Sequence, residues 1–177
     1  MKKDFLIGAF ILLIGCILLT GTKFQTVDEY YATHADVITE RDDVVTLSIQ
    51  AHVLAEHPTR IKKELRAYVP SDGFILKPKQ YVLREGDTVF DIVQRATRQE
   101  KIQMEYQGAN ANVYKSAYIQ GIQYIYEFAA GGQSGWMYQV NGHFPSVGVS
   151  KYTLSPNDRI DVMYTTDLGK DLGGKVE

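Results

Sequence analysis

The stretch Ser134-Gly135-Trp136-Met137-Tyr138-Gln139-Val140-Asn141-Gly142 constrains this chain more than any other. It holds the chain's one tryptophan, it alternates as a strand does, and it ends in an Asn-Gly pair, the strongest short-range hairpin signal. Trp136, Tyr138 and Val140 point to one side of such a strand, Met137 and Gln139 to the other. Either side could face a core, because Met137 is apolar too. A second β-run, Val149 to Leu154, lies within hairpin range. A third, Arg159 to Tyr164, follows the turn Ser155-Pro156-Asn157-Asp158. The expectation is a small three-stranded meander centred on one large aromatic, with function on or beside it.

The rest of the chain supplies a start, a spacer and a body. Residues 1–23 read as a membrane anchor or signal segment. Lys2 and Lys3 precede an apolar run, and residues 5–22 would form a helix of roughly 27 Å at 1.5 Å per residue. That is short but sufficient for a hydrocarbon layer of about 30 Å, with Lys3 and Lys23 able to reach the two interfaces. The basic end stays inside, which places the body outside the cytoplasm at the cell membrane. The same stretch admits two other readings. Leu13-Ile14-Gly15-Cys16 is similar to a bacterial lipobox, which would make Cys16 a lipidation site, although Ile17-Leu18-Leu19 after it is apolar where lipoproteins turn polar. A plain cleaved signal is the third.

Residues 24–43 are acidic and lack period, which reads as a polar linker. Residues 44–168 are the body, and 169–177 read as a flexible tail. Val44 to Val53 is expected as a strand with Val45, Leu47, Ile49 and Ala51 on one side. Phe74-Ile75-Leu76 and Tyr81-Val82-Leu83 are expected as two short strands. Thr88 with Asp91 three residues on suits a capping box. Val89, Ile92, Val93 and Ala96 then repeat at helical spacing, so a helix ending near Arg98 is expected. Ile102 to Tyr106, Tyr118-Ile119 and Ile122 to Phe128 read as further strands. One helix among short strands gives an α+β class, a β-grasp-like small mixed sheet with one packed helix.

The formal charge of -2 leaves no broad basic field for nucleic acid. No HExxH, CxxC or paired-histidine spacing points to a metal. Gln133-Ser134-Gly135 imitates a nucleophile elbow but lacks its second glycine and its strand-to-helix setting, so Ser134 reads as a turn residue. Asp158, Asp161, Asp167 and Asp171 lack calcium-loop spacing and read as solvated carboxylates. No catalytic constellation emerges and the chain is expected not to be an enzyme. Arg60, Lys62, Lys63 and Arg66 form a basic run that reads as a solvated face, with anionic lipid or wall polymer as the alternative. Tyr114, Tyr118, Tyr124, Tyr126 and Phe128 read as core and cross-strand pairs, or as a binding surface if several are exposed together. A lone tryptophan is most often core. Otherwise Trp136 and Tyr138 line a ligand face, with Asn141 and His143 adding polar contacts.

Five ordered blocks carry a family resemblance: Glu85-Gly86-Asp87-Thr88-Val89-Phe90-Asp91-Ile92, Tyr118-Ile119-Gln120-Gly121-Ile122, Tyr126-Glu127-Phe128, the 134–142 stretch, and Tyr164-Thr165-Thr166-Asp167-Leu168-Gly169. Over about residues 44–172 the chain resembles the transcobalamin-like C-terminal domain of bacterial surface proteins, similar to the β-domain of transcobalamin and intrinsic factor. The resemblance implies a β-grasp-like fold, an extracytoplasmic setting, and a ligand near the matching tryptophan. It nominates Ser134, Trp136, Tyr138 and Asn141 as ligand-binding residues. Cobalamin is the implied ligand, and no cofactor is expected. The chain has no room for the carriers' helical domain, and Ala130 and Thr166 stand where some relatives have cysteines. The expected function is a membrane-tethered extracytoplasmic binding module, for a corrinoid or another small ligand handed to a transporter. The alternative is a structural or interaction domain that docks a partner subunit, surface protein or wall component.

Overall fold

The computed structural model describes residues 2–19, 34 and 36–173. It divides into two units, Met1–Tyr31 and Ala32–Glu177. The first unit contributes α1 (Lys2–Leu19). Its first three residues, Lys2, Lys3 and Asp4, are charged, and no helix among the described residues is long and apolar enough to cross a membrane. The span expected over residues 5–22 is therefore not shown. Residues 20–23 lie outside the described residues, as do 24–33 and 35 of the linker and the side chain of the lipidation candidate Cys16.

The second unit is α+β, with two sheets and few helices. In chain order it holds β1 (Val44–Gln50), α2 (His52–Glu56), β2 (Phe74–Val82), α3 (Val89–Gln99), β3 (Met104–Gln107), β4 (Tyr118–Ile122), β5 (Ile125–Tyr126), β6 (Gly135–Val140) and β7 (Arg159–Thr165). The larger sheet runs β2-β1-β7-β6, and β1 lies parallel to β7 while the outer pairs are antiparallel. The smaller sheet runs β3-β4-β5.

A helix over a mixed sheet is the core arrangement expected from the sequence; the second sheet is not. Val89, Ile92, Val93 and Ala96 of α3 are fully buried against Val45, Leu47, Ile49, Ile160 and Val162. Each Val or Ile contributes about 1.5–3 kcal/mol by leaving water. Thr88 caps α3 in a full capping box with Asp91, worth about 1 kcal/mol.

Three local expectations need correction. Val44–Val53 is not one strand: β1 stops at Gln50 and α2 begins at His52. The two short runs at 74–76 and 81–83 are one strand, β2, which carries Pro78 in its middle. Proline is tolerated because β2 is an edge strand, and the opposite register shifts between Leu47 and Ile49. Lastly, 149–154 is not the middle strand of a meander, because β6 pairs directly with β7. That segment crosses the start of α3 instead. Val149 and Tyr152 carbonyls accept the amides of Phe90 and Val89 at 3.0 and 3.1 Å, supplying partners that a helix N-terminus lacks on its own.

Residues 169–173, assigned to the tail by composition, form a turn at Lys170–Leu172. Asp171 holds it, accepting from the Thr165 hydroxyl, from the Thr166 amide at 2.8 Å and from the Thr166 hydroxyl at 2.7 Å. Burial pushes the Asp171 carboxyl up, but these hydrogen bonds outweigh it and the net shift is downward. A lowered carboxyl contributes stability that is present above its unfolded pKa and lost as pH falls through the folded value. Amide protection at Thr166 and Gly169 is thus expected to persist to pH values below the ordinary carboxylate range, then vanish. Asp171→Asn is expected to lower that protection already at neutral pH, as read by hydrogen exchange.

Candidate functional site

The Asn141-Gly142 pair makes the tight turn that the sequence indicates. Both residues have positive φ, 53° and 80°, and Val140 bridges His143 across them. β6 is an edge strand of the larger sheet, and its alternation sorts its side chains. Tyr138 and Val140 enter the core that α3 covers, and the half-buried Trp136 packs against it. Trp136 Nε1 donates to the Ile125 carbonyl at 2.8 Å. Its ring meets Tyr164 edge-on, 5.2 Å between centroids at 75°.

Trp136 and Tyr138 also line a cleft of about 210 Å³. Its opposite wall is Ala117, Tyr118 and Ile119, at the start of β4, and Pro145, Gly148 and Val149 close it from the following loop. None of the lining side chains is charged. Two clasps hold the walls together. Ser116 and Ser150 hydroxyls lie 3.0 Å apart, and Ser150 Oγ accepts the Ala117 amide at 2.8 Å. The Tyr138 hydroxyl donates to the Val147 carbonyl at 2.6 Å. Gly148 permits this approach: a Cβ there would sit 2.2 Å from Ser116 Oγ.

The four nominated residues therefore divide. Trp136 and Tyr138 face the cleft. Ser134 is buried elsewhere, where its Oγ donates to the Gly131 carbonyl at 2.8 Å, accepts the Ala130 amide at 3.1 Å and lies 3.0 Å from the Tyr164 hydroxyl. It fastens the 130–134 loop. Asn141, in the Asn141-Gly142 turn, fastens the end of β6 to the start of β7, donating to Asp158 Oδ1 at 2.7 Å and accepting the Arg159 amide at 2.9 Å. His143 lies beside this turn, its Nδ1 2.9 Å from the Asn141 carbonyl. Sequence reasoning missed Ala117, Ile119, Pro145, Gly148 and Val149. Nothing in their local pattern announces a wall, because they meet Trp136 only through the pairing of distant segments.

The tyrosine cluster is exposed in part. Tyr114 is 77% exposed, Tyr124 47% and Phe128 62%. Tyr126 instead donates to Glu105 at 2.6 Å. The late aspartates are engaged in the fold, as Asp158 accepts the Ser155 amide at 2.8 Å and Asp161 the Ser48 hydroxyl at 2.7 Å. Among the described residues, no group of three or more His, Cys, Asp or Glu side chains could hold a metal ion.

Two tyrosines of the cleft are held neutral. Burial pushes Tyr138 up to about 12, aided by Tyr152. Burial, then the Glu127 hydrogen bond, pushes Tyr118 up to about 12. A phenol raised in the folded state contributes stability that is complete below its unfolded pKa of about 10 and lost as pH climbs through the folded value. Tyrosinate absorbance is therefore expected to show Tyr138 and Tyr118 still neutral at about pH 11, among a late-titrating group that also includes the raised phenols of Tyr81, Tyr126 and Tyr164. Tyr138→Phe and Tyr118→Phe are each expected to remove one late-titrating group.

Residues 86–166 match the family described as Domain of unknown function (DUF4430). The stretch runs from the turn before α3 through β7, and the family resemblance read from the sequence blocks is borne out over it. No curated protein matches the chain. Among solved structures, the chain is similar to haptocorrin in complex with Cbi, at 12% identity and a TM-score of 0.49 over 75% of this chain. It spans only 27% of the haptocorrin chain. It is also similar to a protein from Ruminococcus gnavus ATCC 29149 provisionally named as metal-binding, at 6% identity and a TM-score of 0.41 over 70% of this chain and 97% of that one.

Proposed function

We propose that this DUF4430 domain is a non-enzymatic binding module, held outside the cytoplasm by its N-terminal segment, that seats part of a small ligand in the cleft beside Trp136 and passes it to a transporter. One observation carries the reading: the cleft is an uncharged recess whose walls come from two strands and a loop clasped together by serine and tyrosine hydrogen bonds. Such pre-formed apolar recesses with a few polar groups at the rim are the usual form of ligand sites. At about 210 Å³ it lies below the roughly 300–1,000 Å³ typical of sites that swallow a drug-sized ligand. It suits an edge or side group of a larger molecule. The family resemblance makes corrinoids the first candidates to try.

Trp136 is the chain's one tryptophan, so its emission reports the cleft without interference. Titration of the full chain in lipid nanodiscs with cobinamide is expected to change that emission saturably. Trp136→Leu, measured by calorimetry, is expected to weaken binding at least about tenfold, or 1.4 kcal/mol. Absence of both a fluorescence change and heat would sink the corrinoid reading.

A further inference from the structure

The backbone of β6 points to the chemistry of the ligand. The Asn141 amide donates to the Arg159 carbonyl at 2.8 Å, which sets residues 135, 137, 139 and 141 as those whose backbone groups turn toward β7. Val140, one step out of that phase, exchanges both its backbone hydrogen bonds with His143 on the opposite side, at 2.9 and 3.0 Å. Trp136 and Tyr138 share the phase of Val140. Their amides and carbonyls therefore face the side of β6 that no strand covers, because β6 ends the order β2-β1-β7-β6. This open stretch is bounded. The Ser134 carbonyl takes the Phe128 amide at 3.0 Å at one end, and the Val140–His143 pair shuts the other. Two residues remain, and they are the two of the original four nominees that line the cleft.

We propose that the ligand in this cleft carries a peptide backbone: a short extended segment that pairs with the Trp136–Tyr138 edge of β6 and drops an apolar side chain between Trp136 and Ile119. The inference rests on the cleft being a binding site and names the class of molecule it takes. The size of the window selects the occupant. Two open residues, closed at one end by the Ser134–Phe128 hydrogen bond and at the other by the Val140–His143 pair, suit one short extended segment and not the longer sheet edge of a second folded copy. The absence of charge among the lining side chains selects an uncharged, apolar residue for the seat. Main-chain hydrogen bonds would provide affinity and the cleft would provide side-chain preference, as in other strand-addition sites.

The test uses the full chain in nanodiscs, with Trp136 emission as readout. The probes are capped hexapeptides in which serine alternates with leucine, valine or phenylalanine. Each is also made with its alternate amides N-methylated, in the two possible phases. Methylation removes a donor and leaves the side chains unchanged. Saturable binding of a parent peptide is expected, weakened at least about tenfold by methylation in one phase and not in the other. Equal binding of the parent and both methylated forms overturns the backbone pairing. If every peptide is silent while cobinamide shifts the emission, the peptide inference falls and the ligand cleft stands. If peptides and cobinamide are all silent, both fall.

Discussion

Asp87→Ala is expected to destabilise the domain by about 3–5 kcal/mol, which is a large share of the 5–15 kcal/mol that holds a typical domain folded. Asp87 accepts from Arg95 Nη2 at 2.7 Å with side-chain exposures of 10% and 7%, so the pair is shut away from water. The same carboxylate accepts the Arg84 amide at 2.9 Å, and Arg95 Nη1 reaches the Val82 carbonyl at 2.7 Å. Together they tie the end of β2, the turn and α3 into one corner. The Asp87 carbonyl also accepts the Leu154 amide at 3.0 Å, which anchors the segment crossing the helix start. Removing the carboxylate leaves a guanidinium buried without a counter-charge, and that penalty dominates. The double variant Asp87→Leu with Arg95→Met removes both charges and is expected to recover much of the loss. Urea unfolding of the three proteins checks this. A single variant as stable as the parent would show that the corner tolerates an unpaired buried arginine.

Gly73→Ala is the second large effect, at roughly 2–5 kcal/mol. Gly73 has a φ of +75°, where a Cβ costs about 1–2 kcal/mol. A Cβ there would also lie 1.9 Å from His52 Cδ2 and 2.8 Å from His52 Cα, and overpacking of this kind typically adds about 1–3 kcal/mol. His52 has little room to withdraw, since its ring stands edge-on to Phe74 at 4.5 Å and it opens α2. The Gly73 carbonyl accepts the Ala51 amide at 2.7 Å, so any shift of the turn pulls on the end of β1. Thermal unfolding should show a clear fall in Tm for Gly73→Ala. Gly131→Ala is expected to be milder, because its φ is +112° but no atom lies within 4 Å of the added Cβ.

What could be read from the sequence, and what could not, follows from how local each determinant is. The capping box at Thr88 and Asp91 and the helical spacing of Val89 to Ala96 are set within a few residues, and both are present as expected. The Asn141-Gly142 turn is equally local. The alternation of Val45, Leu47 and Ile49 correctly marks a buried strand face. Non-local pairing is where local signals stop. Val149 to Leu154 carries strand propensity, yet its hydrogen bonds go to the amides of Val89 and Phe90, some sixty residues earlier. Pro78 splits a strand in the sequence, but the edge position that makes it harmless depends on the order of the whole sheet. The site divides in the same way. Trp136 and Tyr138 are marked by their own strand. Ala117, Ile119 and Gly148 acquire meaning only once β4 and the 143–150 loop are brought against it. Ser134 and Asn141 stand beside the tryptophan in sequence and turn away from the cleft in space.

The most direct measurement is methyl-resolved NMR of the full chain as a ligand is added, either cobinamide or one of the alternating peptides. Shifts confined to Ala117, Ile119, Val149 and Val162, with the Trp136 indole proton moving in step, are the expected result. Shifts that gather instead at the methyls of Ala130 and Thr166, where another surface hollow lies, would contradict the assignment of the cleft as the place where this domain binds.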